Sequence, residues 1–279
     1  MKKWLLSLLI ALLLAGATLA ETRWFFETWE DIRYCESNVE QKGFSSIIGY
    51  YQGKLGVYLF DTPVQVYGAL YGVASQNSAY WNNSVAAGPA IRVFPLQGFK
   101  SEQWYLDWVP STRIFCESLN ISYQKNAASG EANKTSDLRT GIEVYHEWNL
   151  DKPDLNEYWG EVWLNLSYRT TNFSWTDFNN YILYFQPRIG RHLGRGIEPY
   201  LKLDLTYSGK SDYWLNVATY GAGIRFEPWR LDERAPEILR EFKMFAEILG
   251  NSYLWDKPTN PNQNVTSDAR FGIDFSMGR

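Results

Sequence analysis

Polar and apolar residues alternate with a period of two over much of this chain. The stretches 141–148, 161–170, 198–207 and 268–277 all show it. Successive side chains of a β-strand point to opposite faces, so this period predicts strands with one polar and one apolar face. Several stretches run for ten or more residues, which is longer than the usual five or six of globular sheets. In stretch 161–170 the polar face holds Glu161, Trp163, Asn165, Ser167 and Arg169, and the apolar face holds Val162, Leu164, Leu166 and Tyr168.

Turn-rich stretches separate thirteen candidate strands. Bacterial membrane barrels favour even strand numbers, and Ser46–Gln52 is the least regular candidate. We therefore predict an all-β protein, a transmembrane antiparallel up-and-down β-barrel of about 12 strands, with 14 as the alternative. The candidates are Trp24–Glu36, Ser46–Gln52, Leu55–Asp61, Gln65–Ala74, Ala86–Phe94, Thr112–Tyr123, Asp137–Trp148, Tyr158–Thr170, Tyr181–Arg191, Ile197–Tyr207, Tyr213–Phe226, Leu239–Leu249 and Asp268–Met277. Between the last strands, the charged segment Pro228–Pro236 is expected to form a short helix or a plug.

Aromatic residues near the strand ends favour a membrane barrel over a secreted β-sandwich, in which strands also alternate. Tyrosine and tryptophan concentrate at the two interfaces of a bilayer, where they form girdles around a barrel. The β-sandwich stays open as the alternative. The predicted girdle residues are Trp24, Tyr58, Tyr80, Trp81, Tyr158, Trp159, Tyr213 and Trp214.

The first twenty residues have the features of a secretory signal peptide. Lys2 and Lys3 precede an apolar run over 5–14, and small residues lead to Ala20. Cleavage after Ala20 fits best, cleavage after Ala17 is the alternative, and an uncleaved anchor is the competing interpretation. We thus expect a signal peptide over 1–20, one barrel domain over 21–279, and export to the outer membrane of a Gram-negative bacterium.

Charge and cysteine content exclude several classes of protein. The net charge is −4, and it becomes −6 once Lys2 and Lys3 are removed, so a nucleic-acid partner is not expected. Two cysteines are too few for a disulfide-stapled miniprotein or a cysteine zinc cluster. Cys35 and Cys116 fall on distant candidate strands, and we expect them to remain unbridged.

The histidines do not indicate a catalytic site. His146 shares the apolar face of its strand, whereas Ser167 of the next strand lies on the polar face, so the two cannot meet. His192 lies in a basic turn over 188–195 and is expected to meet phosphate head groups. We predict neither an enzyme nor a cofactor or metal site; a lipid-modifying hydrolase is the minority alternative.

The polar faces predict a charged lumen that is also rich in aromatic residues. Aromatic rings beside acids and bases suit sugars, whose rings have apolar faces and hydroxyl edges. The alternative, equally open, is that opposite charges pair across the strands and hold the barrel shut. The candidate lining residues are Arg92, Glu143, Tyr145, Glu147, Glu161, Trp163, Arg169, Arg188, Glu198, Tyr200, Lys202, Asp204, Arg225, Glu247, Arg270 and Asp274.

Five segments resemble the barrels of bacterial exopolysaccharide-export systems and of the related phage-adsorption protein: 137–148 (DLRTGIEVYHEW), 196–203 (GIEPYLKL), 221–228 (GAGIRFEP), 245–248 (FAEI) and 270–275 (RFGIDF). The resemblance implies an outer-membrane pore for an envelope or extracellular polysaccharide. In those systems a helical scaffold precedes the barrel, so here a periplasmic scaffold protein would be a separate partner, beside the outer-membrane lipids. A structural or receptor barrel with a plugged lumen is the alternative function.

Overall fold

The computed structural model describes residues 23–37, 46–59, 62–76, 83–103, 106–123, 134–150, 157–171, 179–209, 216–230, 232, 234–254 and 267–278. The predicted signal peptide over 1–20 lies outside the described residues. So do four of the predicted girdle residues, Tyr80, Trp81, Tyr213 and Trp214.

The described residues form twelve strands, one 3₁₀ turn over Val109–Ser111 and one short helix, α1 (Glu237–Arg240). No helix among them is long and apolar enough to cross a bilayer. The strands are β1 (Trp24–Ser37), β2 (Ser46–Tyr58), β3 (Val64–Ser75), β4 (Ser84–Val93), β5 (Arg113–Tyr123), β6 (Lys134–Trp148), β7 (Tyr158–Thr171), β8 (Asn180–Arg191), β9 (Ile197–Ser208), β10 (Val217–Phe226), β11 (Phe242–Tyr253) and β12 (Ser267–Met277).

The strands close into one antiparallel barrel. Each pairs with its neighbours along the chain, and β1 pairs with β12 over the register from Thr28↔Met277 to Ser37↔Asp268. Closure leaves no exposed sheet edge. The prediction of a twelve-stranded up-and-down barrel is thereby confirmed.

The thirteen candidate strands become twelve because two of them form a single strand. The candidates Ser46–Gln52 and Leu55–Asp61 are one strand, β2, that runs straight through Gly53. Gly53 pairs with Thr28 of β1 and Leu70 of β3, and a side chain there would overlap the Tyr51 ring. This glycine makes room for a neighbouring ring and is not a turn.

The start of β11 also differs from the prediction. Leu239, expected to begin a strand, lies in α1, and the strand begins at Phe242. The amides of Leu239 and Arg240 donate to the Pro236 carbonyl. Proline favours the first turn of a helix, so the short helix lies just beyond Pro236 and not within the predicted Pro228–Pro236.

The barrel has two rims, which we name by the ends of the sheet. The near rim is where β1 begins and β12 ends, and it holds the connections 59–63, 94–112, 149–157, 192–196 and 227–241. The far rim is the opposite end of the sheet, where β1 ends and β12 begins. At the near rim the β8–β9 turn is tight: Gly196 has φ +72°, and a Cβ there would overlap the carbonyl of Glu227.

One part of the inner wall is apolar. A cluster on β3, β4 and β5 comprises Tyr67, Ala69, Ala86, Ala90, Leu119 and Ile121. On β5 the usual polarity of a membrane barrel is reversed, because Leu119 and Ile121 are buried inside while Ser118, Asn120 and Ser122 are exposed outside. The lumen is therefore charged on most walls and apolar on this one.

Cross-strand glycines seat two large inner rings against the wall. Trp159 of β7 lies opposite Gly190 of β8, and Tyr200 of β9 lies opposite Gly223 of β10. A Cβ on either glycine would overlap the facing ring. Trp159 is fully buried, so its prediction as a girdle residue is wrong. Side chains alternate between the two faces of β7, and Trp159 lies on the same inner face as Glu161.

Replacing Gly190 with alanine should destabilise the barrel. The new methyl group collides with the Trp159 ring, and overpacking of this kind costs about 1–3 kcal/mol. The refolded chain should therefore lose its compact, fast-migrating form on a semi-native gel at a lower temperature than the wild type. Gly68→Ala is the matched control, since a Cβ on Gly68 meets no atom within 4 Å. Equal transition temperatures for Gly190→Ala and Gly68→Ala would contradict the packing argument.

Candidate functional site: the charged lumen

The outer wall carries a ring of exposed apolar side chains, with at least one on every strand. Water is a poor solvent for so continuous an apolar surface, whereas the hydrocarbon core of a bilayer matches it. The wall is therefore that of a membrane-spanning barrel. The ring comprises Ile32, Leu55, Leu70, Ile91, Ile114, Ile142, Leu166, Ile189, Leu201, Ile224, Ile248 and Phe271, whose exposed fractions run from 40% to 78%.

Aromatic residues lie outside this ring at both rims. Trp24 and Tyr158 are 66% and 61% exposed at the near rim. Toward the far rim, the Tyr168 and Tyr181 rings lie 4.8 Å apart. Aromatic side chains at these two levels fit the two interfaces of a bilayer.

The strand alternation places the sixteen predicted lining residues on the inner face. Their role in transport stays a prediction. The buried ones are Arg92, Glu143, Glu161, Glu198, Tyr200, Lys202, Arg225 and Glu247. The half-buried ones are Tyr145, Trp163, Arg169, Arg188, Asp204, Arg270 and Asp274, and Glu147 is exposed.

Five of the inner charges form what we call the cross-lumen cluster: Glu27, Lys54, Arg92, Arg113 and Glu143. Arg92 donates from Nη1 to Glu27 Oε2 at 2.9 Å and also to Gln65. Arg113 Nη1 lies 3.8 Å from carboxylate oxygens of both Glu27 and Glu143. Lys54 Nζ lies 3.8 Å from Glu143 Oε2. These pairs join β1 to β4 and β5, and β2 to β6, so they reach across the lumen and not merely along the wall.

Three members of this cluster are absent from the sequence prediction, namely Glu27, Lys54 and Arg113. Glu27 and Arg113 show the alternation of their strands, so the parity that found the others would have found them. Lys54 was hidden because the candidate strands stopped on either side of it. Its burial at 4% exposed is understandable only with Glu143 as partner, because an unpaired buried charge is costly.

A second group of charges joins β9 to β11. Lys202 Nζ lies 3.1 Å from Glu247 Oε1 and 2.9 Å from Asp204 Oδ2. The Tyr200 hydroxyl donates to Glu247 at 2.6 Å. Lys202 and Tyr200 thus both donate to the Glu247 carboxylate, and a buried charge needs such donors.

A third group, the near-rim cluster, consists of His192, Glu198, Arg225, Glu227 and Arg230. Glu198 accepts from Arg225 at 2.7 Å and from Arg230 at 3.1 Å, and lies 2.6 Å from His192 Nδ1. Arg230 also donates to Glu227 at 2.6 Å. The Arg225 guanidinium lies 4.1 Å from the centre of the Trp159 ring. The cluster therefore ties the near-rim connections to β9 and β10.

The position of His192 corrects the expectation that it would meet phosphate head groups. Its side chain is 2% exposed, and its second ring nitrogen, Nε2, lies 2.9 Å from the Asn149 carbonyl oxygen. The basic turn predicts a surface position, but the His192 side chain points inward to Glu198. Through its contact with Asn149, His192 also links the β6–β7 connection to the near-rim cluster.

The lumen contains a cavity of about 100 Å³ on the far-rim side of Glu143. A smaller one, of about 20 Å³, lies among Asp31, Arg188, Lys202 and Glu247. The larger cavity has room for several water molecules or for part of a polar solute. It is lined by Gln52, Lys54, Tyr71, Phe115, Glu117, Arg139, Glu143, Trp163, Asn165, Ser167, Arg169 and Tyr184.

The remaining reactive groups lie apart. The His146 ring stacks on Trp148 on the outer face, with centroids 6.3 Å apart, whereas Ser167 is buried on the inner face. Cys35 and Cys116 are both free, as expected from their positions on distant strands. Nothing in this arrangement gives Ser167 a histidine base.

No protein-family model matches the sequence, and no curated protein is detectably similar to it. Solved structures resemble the barrel at low identity. The KdgM porin, in complex with disordered oligogalacturonate, is 9% identical with a TM-score of 0.39, over 89% of this chain and 99% of that one. The β domain of the Bordetella autotransporter BrkA is 12% identical with a TM-score of 0.38, over 92% and 100%. Salmonella typhi OmpF, in complex with daunomycin, is 8% identical with a TM-score of 0.33, over 91% and 97%. At such identities the likeness concerns the barrel fold alone.

The near-rim cluster makes stability depend on pH through Glu227, which follows the end of β10. Burial by itself raises the pKa of this carboxyl. The charges of Arg225, Lys243 and Arg230 outweigh burial and hold the pKa below its ordinary value of 4.5. A carboxyl whose pKa is lowered by folding stabilises the folded state above the unfolded pKa and loses that effect as pH falls through the folded one.

Glu227→Gln should therefore lower the gel transition temperature at pH 7, because breaking a buried ion pair costs about 3–5 kcal/mol. The difference from the wild type should shrink steadily below about pH 4.5, where the wild-type carboxyl also becomes neutral. Semi-native gels run after incubation between pH 3 and pH 7 measure this difference. Glu102→Gln, at an exposed acid of the same rim, should show no difference at any pH. A Glu227→Gln deficit that is constant across this range would rule out the electrostatic explanation.

Proposed function

We propose that this chain is an outer-membrane pore for saccharides of an envelope or extracellular polysaccharide. The larger lumen cavity is the observation that carries the proposal. It combines the Trp163 and Tyr184 rings with amide, hydroxyl and charged groups. Sugar rings present apolar faces to aromatic side chains and hydroxyl edges to polar ones. The outer membrane is the setting in which bacterial barrels of this kind occur, and the predicted signal peptide supports export to it.

Passage through this pore depends on the cross-lumen cluster. Lys54 and Glu143 come within 3.8 Å of each other from opposite parts of the wall, next to the cavity. A saccharide that leaves the cavity toward the near rim must part these side chains. At 3.8 Å the pair is an ion pair without a hydrogen bond, and both side chains are buried, so it separates only where water or the hydroxyl groups of the solute replace the partner.

A periplasmic scaffold protein remains part of the proposal. The resemblance to exopolysaccharide-export barrels is its support, because in those systems a helical scaffold accompanies the barrel. The connection 94–112 and the connection 227–241 lie at the same rim and are the longest there, so they are the surface we assign to such a partner.

A barrel with a closed lumen, serving as a receptor or structural element, is the second candidate. The paired charges favour it, because Arg92, Lys202 and Glu247 are all buried in ion pairs that fill the inner wall. The two candidates differ in whether ions cross the folded barrel.

Single-channel recording in planar bilayers separates them. We expect the refolded chain to give steady conductance steps, with heat-modifiable gel mobility as proof of folding. Polysaccharide fragments added to one side should block these steps. Folded protein that carries no current would overturn the pore and leave the closed barrel.

Glu143→Gln should shift the selectivity of the pore toward anions. The change removes a negative charge beside Lys54 and Arg113, and a unit charge at about 4 Å is worth ~1 kcal/mol in water. The anion-to-cation permeability ratio, from reversal potentials in a salt gradient, should therefore rise by up to about fivefold. Glu36→Gln, at an exposed acid on the outer face of β1, is the matched control and should leave the ratio unchanged. Equal ratios for both variants would place the conducting path outside the lumen.

A further inference from the structure

Two arginines face each other directly across neighbouring strands in the larger cavity. Arg139 of β6 and Arg169 of β7 are cross-strand partners, and both line the cavity. Like charges in this position repel and destabilise a sheet unless an anion compensates them. Asp137 compensates Arg139, at 3.1 Å.

Arg169 has no acidic partner among the described residues. Its polar contact is a long one, 3.5 Å from Nη2 to the Tyr184 hydroxyl, and its guanidinium lies 5.5 Å from the centre of the Tyr184 ring. Neither contact neutralises the positive charge. One cation of the cavity is thus left for a ligand.

Three buried donors of the same two strands also lack acceptors. The Nε groups of Arg139 and Arg169 and the Ser167 hydroxyl have no hydrogen-bond partner among the described residues. Ser167 is only 2% exposed, and it precedes Arg169 by two residues on the same face of β7. Buried polar atoms are almost always paired, so donors gathered at one cavity leave a place there for an acceptor, which water or a ligand can fill.

The acids of the cavity cannot supply that acceptor, because they are already engaged. Glu117 accepts from the hydroxyls of Tyr67 and Tyr71, at 3.0 and 2.7 Å. Glu143 accepts from the indole N–H of Trp163 at 2.8 Å and belongs to the cross-lumen cluster. The donors that remain unpaired in the cavity are therefore available to an anion.

An aromatic wall lies beside these donors. The Trp163 and Tyr184 rings are close to parallel, with an interplanar angle of 20° and centroids 5.9 Å apart. The Glu143 hydrogen bond fixes the orientation of the indole. Such a wall suits a flat or ring-shaped solute with an apolar face, whereas an inorganic anion would gain nothing from it.

We propose that this cavity is a binding site for an acidic sugar, whose carboxylate is held by Arg169, Arg139 and Ser167 and whose ring packs on Trp163 and Tyr184. The inference deepens the proposed function, on which it rests for the saccharide class, by naming the acidic members of that class. A guanidinium pairs with a carboxylate through two parallel N–H···O bonds, which an alcohol cannot match.

The test compares glucuronate with glucose, which differ at C6 by a carboxylate in place of a hydroxymethyl group. Isothermal titration of the refolded chain in detergent measures the affinity for each. We expect glucuronate to bind at least about tenfold more tightly, and Arg169→Gln to abolish this preference. Arg169→Lys, which keeps the charge but loses the two-pronged donor, should retain part of it and also covers the case in which Arg169→Gln does not fold. Arg191→Gln, at an exposed arginine of the near rim, is the matched control and should retain all of it.

Equal affinities for the two sugars, or a preference that survives in Arg169→Gln, would overturn the site. Binding in detergent can be measured whether or not the barrel conducts, so the binding site and the pore are tested independently. Glucuronate binding by a barrel without conductance would keep the site and overturn the pore. Conductance without a glucuronate preference would keep the pore and overturn the site.

Discussion

Charge pairing inside a closed wall is the constraint on which the rest of this structure depends. When β1 closes on β12, every second side chain of twelve long strands is directed into one narrow space. Charges in that space have lost part of their hydration and must find partners there. Glu143 meets this demand with partners from three other strands, Lys54, Arg113 and Trp163. The lumen is therefore shaped by the pairs that its charges form as much as by the number of strands.

The wall itself was predictable from the sequence because it follows from local alternation. Residues such as Glu161, Lys202 and Arg270 have the parity of their strand, and that parity is visible in any stretch of ten residues. The count of twelve strands followed from the same pattern. Gly53 shows the limit of this pattern, because the sequence alone does not distinguish a glycine that makes room for a ring from a glycine that forms a turn.

The contacts across the lumen were not predictable, because they depend on register and barrel shape. Lys54 and Glu143 lie four strands apart, and no local pattern in the chain relates them. The same is true of Trp159, which looked like a girdle residue at a strand end but is seated on Gly190, and of His192, which leaves a basic turn to reach Glu198. In each case a partner distant in sequence decides where the side chain goes.

The distances between charged groups differ between the two ends of the lumen. In the near-rim cluster the partners of Glu198 are at hydrogen-bond distance, 2.6 to 3.1 Å, and several donors share each carboxylate. The pairs of Glu143 with Lys54 and Arg113 are 3.8 Å long and so gain from charge alone. Contacts without a hydrogen bond constrain the two side chains less than a network of short bonds does. In the proposed pore, the contacts without a hydrogen bond thus lie on the β2 and β6 side of the lumen, while the near-rim cluster holds β9 and β10 together by shorter bonds.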